Sequence, residues 1–194
     1  MSQFGFSLFC ILGLLLFAAC ERTPSHEAIV ARELARPDTI RELFLNYELG
    51  MLRQAFYDSS WALNRRGLVR QGPQNQNVLY KIPDALPYEA TMLYYPDFKD
   101  DRVVQMRTRF QYDSWAPWNR RLWSDSLLLD VRQLMETWYG EGFMIREIPV
   151  PLKGLTRGFV KVDANRQITI RRDTDSEVLV LITDLRAALP EGNE

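Results

Sequence analysis

Three hydrophobic rhythms follow one another along the chain. Residues 4 to 19 form one uncharged run, mostly Phe, Leu, Ile, Gly and Ala. From Arg102 to Tyr112 the pattern alternates: Val104, Met106, Thr108, Phe110 and Tyr112 fall on one side. Val103, Gln105, Arg107, Arg109 and Gln111 fall on the other, which predicts a half-buried antiparallel strand with one solvated face. Between Asp125 and Tyr139 the rhythm is helical, with Leu127, Val131, Leu134 and Trp138 on one stripe.

The same reading predicts the other elements. Glu27 to Arg36 has helical composition and stops at Pro37. Arg41 to Leu49 reads equally as strand or helix. Met51 to Arg66 is a clearer helix, with Leu52, Ala55, Phe56 and Leu63 on one face and Gly67 as the residue that ends it. Strands are expected over Asn77 to Ile82, Tyr88 to Tyr95 and Arg102 to Tyr112, with a turn across Pro96 to Asp101. Ser124 should cap the second main helix, and Gly140 should end it. Further strands are expected over Phe143 to Ile148, Gly158 to Asp163, Arg166 to Arg172 and Glu177 to Thr183. Turns fall at Ala164-Asn165 and Asp173 to Ser176.

This order implies an α+β fold, an antiparallel sheet with two main helices packed on one face. Helix, glycine and strand meander occur twice, so two related units are expected, in halves 38–113 and 124–194.

The apolar run ends in Leu16-Phe17-Ala18-Ala19-Cys20. At about 16 residues it suits the core of a signal peptide and falls short of the roughly 20 that a membrane-spanning helix needs. Two small residues before a cysteine look like a bacterial lipobox, in which residues 1–19 are removed and Cys20 carries a diacylglycerol. An uncleaved anchor and an ordinary secretory signal are the alternatives. Under the lipobox reading residues 20–37 are the lipidated N-terminus and tether, and 38–194 are the folded domain. Cys10, the other cysteine, leaves with the signal, so no disulfide is expected. The expected location is the cell envelope, with the protein held by lipid, the periplasmic side of the outer membrane being favoured.

Composition narrows the function classes. A net charge of −1 gives no electrostatic footprint for nucleic acid. An apolar content of 46% with 12% aromatic residues suits a packed core. The only histidine, His26, falls in the tether, so triad chemistry has no base. No Cys/His cluster, phosphate loop or Gly-x-Ser-x-Gly elbow occurs. Asp97, Asp100 and Asp101 read as a solvated turn. Glu136, Glu141, Glu147 and Asp163 could serve a carboxylate-only glycan hydrolase only if two of them met across a cleft. No catalytic residue, metal or cofactor is expected.

The loop from Asp113 to Trp123 holds Trp115, Trp118 and Trp123 interleaved with Arg120 and Arg121. The expectation is that the tryptophans plug the end of the sheet core while the arginines stay solvated. Exposed, the same residues would form a binding surface for protein, glycan rings or lipid headgroups.

Tyr47-Glu48-Leu49-Gly50-Met51, followed by a helix holding Phe56 and Trp61, resembles the opening of small outer-membrane lipoprotein domains of the SmpA/OmlA (BamE-like) and β-lactamase-inhibitor-like kinds. The whole chain, with Trp115-Ala116-Pro117-Trp118-Asn119 and Val160-Lys161-Val162-Asp163, also resembles uncharacterised lipoproteins of Bacteroidetes-type bacteria. These resemblances imply a helix packed on an antiparallel sheet, an envelope location and protein binding without catalysis. The leading expectation is therefore a membrane-anchored, non-enzymatic module with an envelope protein partner. A lipid or apolar-ligand carrier is the alternative.

Overall fold

The computed structural model describes residues 24–150 and 154–188, which form an α+β fold around one eight-stranded antiparallel sheet. In chain order the elements are α1 (His26–Leu34), α2 (Arg53–Arg65), β1 (Val69–Gln71), β2 (Val78–Ile82), β3 (Ala90–Lys99) and β4 (Arg102–Tyr112). Then come α3 (Ser124–Tyr139), β5 (Met144–Val150), β6 (Gly154–Asp163), β7 (Arg166–Arg172), β8 (Glu177–Asp184) and α4 (Leu185–Ala188).

The sheet order is β1-β2-β3-β4-β8-β7-β6-β5. Each meander of four strands is local, and the two meet where β4 pairs antiparallel with β8, Phe110 opposite Val178 and Thr108 opposite Val180. Each meander follows a helix. The repeated helix-plus-meander order read from sequence thus becomes two units joined at their last strands.

One face of the sheet carries the core. Met92, Tyr94, Met106, Phe110, Val180, Ile182, Ile168 and Ile170 alternate inward along β3, β4, β8 and β7, and Leu127, Val131, Leu134 and Met135 of α3 meet them. Each such side chain contributes roughly 1.5–3 kcal/mol by leaving water. Between α2 and α3 the segment Leu43 to Leu49 inserts Phe44 and Tyr47. The Phe44 ring stands on Tyr94 at 5.0 Å and near Trp138 at 6.0 Å. The segment is a tight reversal, not the regular strand or helix considered from sequence. Leu45 and Asn46 take positive φ, and Leu43 N–H bonds Tyr47 O at 2.9 Å.

The two main helices end differently. After α2, Gly67 takes φ 73°, and its N–H and that of Leu68 bond back to Asn64 O and Leu63 O, as the glycine predicts. At the end of α3 the ammonium of Lys161 reaches in from β6 to bond the carbonyls of Tyr139 and Gly140. A cation there also complements the negative end of the helix dipole.

Several expectations are corrected. Val103 points into the core and Val104 does not, because Asp97 pairs with Gln105 while Phe98 pairs with Val103. Val104 is the extra residue of a bulge, and one inserted residue reverses the facing of everything before it. The turn expected over Pro96 to Asp101 shrinks to Asp100-Asp101, both at positive φ, so β3 runs on to Lys99. Ser124 is the first residue of α3 and not its cap; its N–H bonds Asp175 O at 2.8 Å. Leu52, placed on the apolar face of α2, is instead its exposed N-cap residue. The short β1 had no alternating pattern long enough to read.

On the opposite face, α1 lays Ile29 against Val160 and Val162 of β6. Glu33 fixes this docking by accepting from Arg32, Arg36 and the Ala164 N–H. Burial opposes its charge, but those bonds outweigh burial and hold its carboxyl below the ordinary value. Of the tether expected over 20–37, residues 26–34 therefore form a helix packed on the domain, and His26 is its first residue. No helix among the described residues is long and apolar enough to cross a membrane.

Candidate functional site

The residues singled out from sequence separate in space. Cys20 lies outside the described residues, with residues 1–23. Trp115 packs against the core, as expected of a plug. Trp118 does the opposite and stands 85% exposed. Trp123 is half-buried beneath Arg120, whose guanidinium lies 3.7 Å from the ring centre. Arg121 is solvated, and Leu122, buried beside it, pins the turn. The Asn119 side chain accepts from Arg121 N–H to start that turn. The indole N–H groups of Trp115 and Trp123 are enclosed without an acceptor among the described residues. Of the five residues proposed as a surface, Trp118, Arg120 and Arg121 present themselves to solvent, and Trp115 is structural.

The carboxylates do not assemble. Asp97 receives Gln105 and Arg107, Asp101 receives Arg53, and Glu136 receives Arg132. Asp163 is held between Lys161 and Arg166. Glu147 and Glu141 lie exposed at the far edge. Among the described residues no three His, Cys, Asp or Glu side chains are grouped to hold a metal ion.

The sheet face opposite α2 and α3 carries polar pairs in the first unit beside the half-buried Leu79 and Leu93. Lys81 and Thr91 both donate to Asp113, and Thr183 donates to Gln105 at 2.8 Å. Further along, Arg109 and Arg171 flank Leu179 in register, and both approach Asp173. Leu179 is only 1% exposed on this open face, because it lies between those two arginines in register.

A second feature escaped the sequence reading. Phe56, Tyr57, Ser60, Trp61 and Asn64 form one side of α2, and with β1, the 73–77 loop and Tyr95 they line a groove of about 240 Å³. Trp61 stands on its wall, 64% exposed. Beneath it the hydroxyls are linked: Tyr57 shares a hydrogen bond with Tyr95 at 2.8 Å, and Tyr47 bridges Ser60 and Tyr94 at 2.8 and 3.0 Å. Burial, then the bond to Tyr57, pushes the Tyr95 hydroxyl up to about 12, and burial raises Tyr47 and Tyr94 as well. Tyr47, Tyr94 and Tyr95 therefore stay neutral at physiological pH and act through hydrogen bonds. The available signal was Trp61 itself, a large aromatic off the apolar stripe of its helix. A larger hollow, about 530 Å³, opens among Leu45, Tyr80, Trp138, Tyr139 and Arg166; there Arg166 gives Nη1 to Glu42 O and Nη2 to Asp163, while its buried Nε has no acceptor among the described residues.

No protein-family model matches the chain, and no curated protein sequence or solved structure resembles it significantly.

Proposed function

We propose that this chain is a lipid-anchored, non-enzymatic binding module of the bacterial cell envelope, held by a diacylglycerol on Cys20. The observation that carries the binding role is Trp118, a large apolar side chain left in water beside the Arg120–Trp123 stack. Exposed Trp and Arg are the residue types that dominate protein interfaces.

The packing of α1 supports the anchored geometry. Pro24, whose carbonyl accepts from Arg146 of β5, lies only four positions after Cys20. Four residues span at most about 14 Å, so a lipid on Cys20 would hold the β5–β6 end of the sheet close to the bilayer. Counted along the sheet order, β6 and β1 are six strand spacings apart, about 29 Å, which leaves the first unit turned away from the anchor.

Two experiments test the reading. Cys20→Ser should release the protein from membranes or leave it unprocessed; recovery at mature size in the membrane fraction would defeat the anchor. Crosslinking in intact cells, followed by affinity purification, should recover a partner that Trp118→Ala loses. Recovery unchanged by Trp118→Ala would remove the proposed surface.

A further inference from the structure

We infer that the groove between α2 and β1 is a saccharide site, with Trp61 as the platform on which one sugar ring stacks. Its volume, about 240 Å³, lies below the range typical of drug-sized ligands and suits a single ring, with the rest of a chain outside. The chemistry of its walls is that of a neutral polyol. Among the described residues Arg70 is the only charged one lining it; apart from the aliphatic Val69 and Val78, the others offer amides, hydroxyls and aromatic faces. An exposed indole gives a flat apolar surface for the C–H face of a pyranose ring, as it does for other flat ligands. Gln71, Asn75 and Asn77 add carboxamides, which both donate and accept and so match a sugar hydroxyl in either sense. None of those three side chains is engaged in a hydrogen bond within the described residues, whereas Asn64 gives one donor to Val69 O and keeps its carbonyl.

The groove is also preformed. The 72–77 loop closes on a bond from Gly72 N–H to Asn77 O at 2.8 Å, with Asn75 N–H and Gln76 N–H bonded back to Gly72 and Pro73. A Cβ at Gly72 would stand 2.8 Å from Asn77 O, so only glycine lets the loop close this tightly. Binding therefore costs little ordering of the loop. The site is separate from the Trp118 surface and does not depend on it.

The test is calorimetric titration of the mature protein in detergent micelles with the β-1,4-linked trimer of N-acetylglucosamine and, separately, with maltotriose. Saturable binding of either, with a dissociation constant on the order of 0.1–1 mM, is expected. Trp61→Ala should weaken it at least about tenfold, which is about 1.4 kcal/mol. Trp118→Ala should leave it unchanged, and Asn75→Ala with Asn77→Ala should weaken it severalfold. Because Trp61 is exposed, circular dichroism and melting of Trp61→Ala should match the parent, so loss of binding cannot be laid to unfolding. Failure of both saccharides to saturate, binding indifferent to Trp61→Ala, or binding of hydrophobic peptides at that groove in place of saccharides would overturn the assignment.

Discussion

The two helix-plus-meander units are built to one plan and finished differently. In the second, α3 lies over β4, β7 and β8 and turns Trp138 toward Phe44, while α1 covers the other face at β6. In the first, α2 sits beside the three-residue edge strand β1, leaves a groove, and keeps Trp61 in water; the opposite face carries Lys81, Thr91 and Asp113 together with Leu79 and Leu93. The covered unit receives the N-terminal chain. The other holds the groove.

The seam between the units is where the comparison breaks first. Phe110 is fully buried on β4, opposite Val178 of β8. Phe110→Ala should cost about 3–5 kcal/mol and lower the melting of both units together. A melt that separates into two steps would show that the units do not share one core.

A smaller effect is expected at the helix tryptophans. Trp138→Ala should cost about 2 kcal/mol, since its ring packs on Phe44 and Tyr139, and Trp61→Ala should stay within about 0.5 kcal/mol. Equal losses by denaturant titration would contradict the difference in finish.

The two helix ends give a comparable test. Lys161→Met keeps the aliphatic stem but strips the donor from the α3 carbonyls and one partner from Asp163, which keeps Arg166. It should cost about 1–3 kcal/mol. Its counterpart, Gly67→Ala, forces a side chain into positive φ with nothing crowding it, at about 1 kcal/mol. Chemical denaturation ranks the two.

The mildest probe is acid. Glu33 binds its proton less readily when folded, so its contribution is complete above the ordinary carboxyl value of 4.5 and disappears as pH falls through the lower folded value. The protection factors of the α1 amides, exchange rates corrected for the intrinsic pH dependence, should therefore fall on acidification below about pH 4.5, ahead of those in α3. Glu33→Gln should flatten that dependence, and an unaltered profile would deny the carboxylate its role in docking α1.

Much of the fold was legible locally. Arg166–Arg172 and Arg102–Tyr112 were read with their observed limits because alternation marks a strand with one wet face. Gly67 and Gly140 were placed because a chain turning out of a helix favours a residue without Cβ. The bulge at Val104 was invisible: nothing local distinguishes an inserted residue from the next step of the alternation. Trp115 and Trp118 sit in one loop with the same side chain and opposite fates, and composition cannot choose between them.

What the amino-acid sequence by itself determined was periodicity and punctuation: α+β class, two helix-plus-meander repeats, and an N-terminal apolar run ending at Cys20 with the look of a lipobox. Such features depend on residues within a few positions of one another. Which strands join at the seam, that α1 packs on β6, and that Trp61 overlooks a groove were decided only by tertiary structure. Each of these depends on groups distant in the chain that meet when apolar faces are buried together.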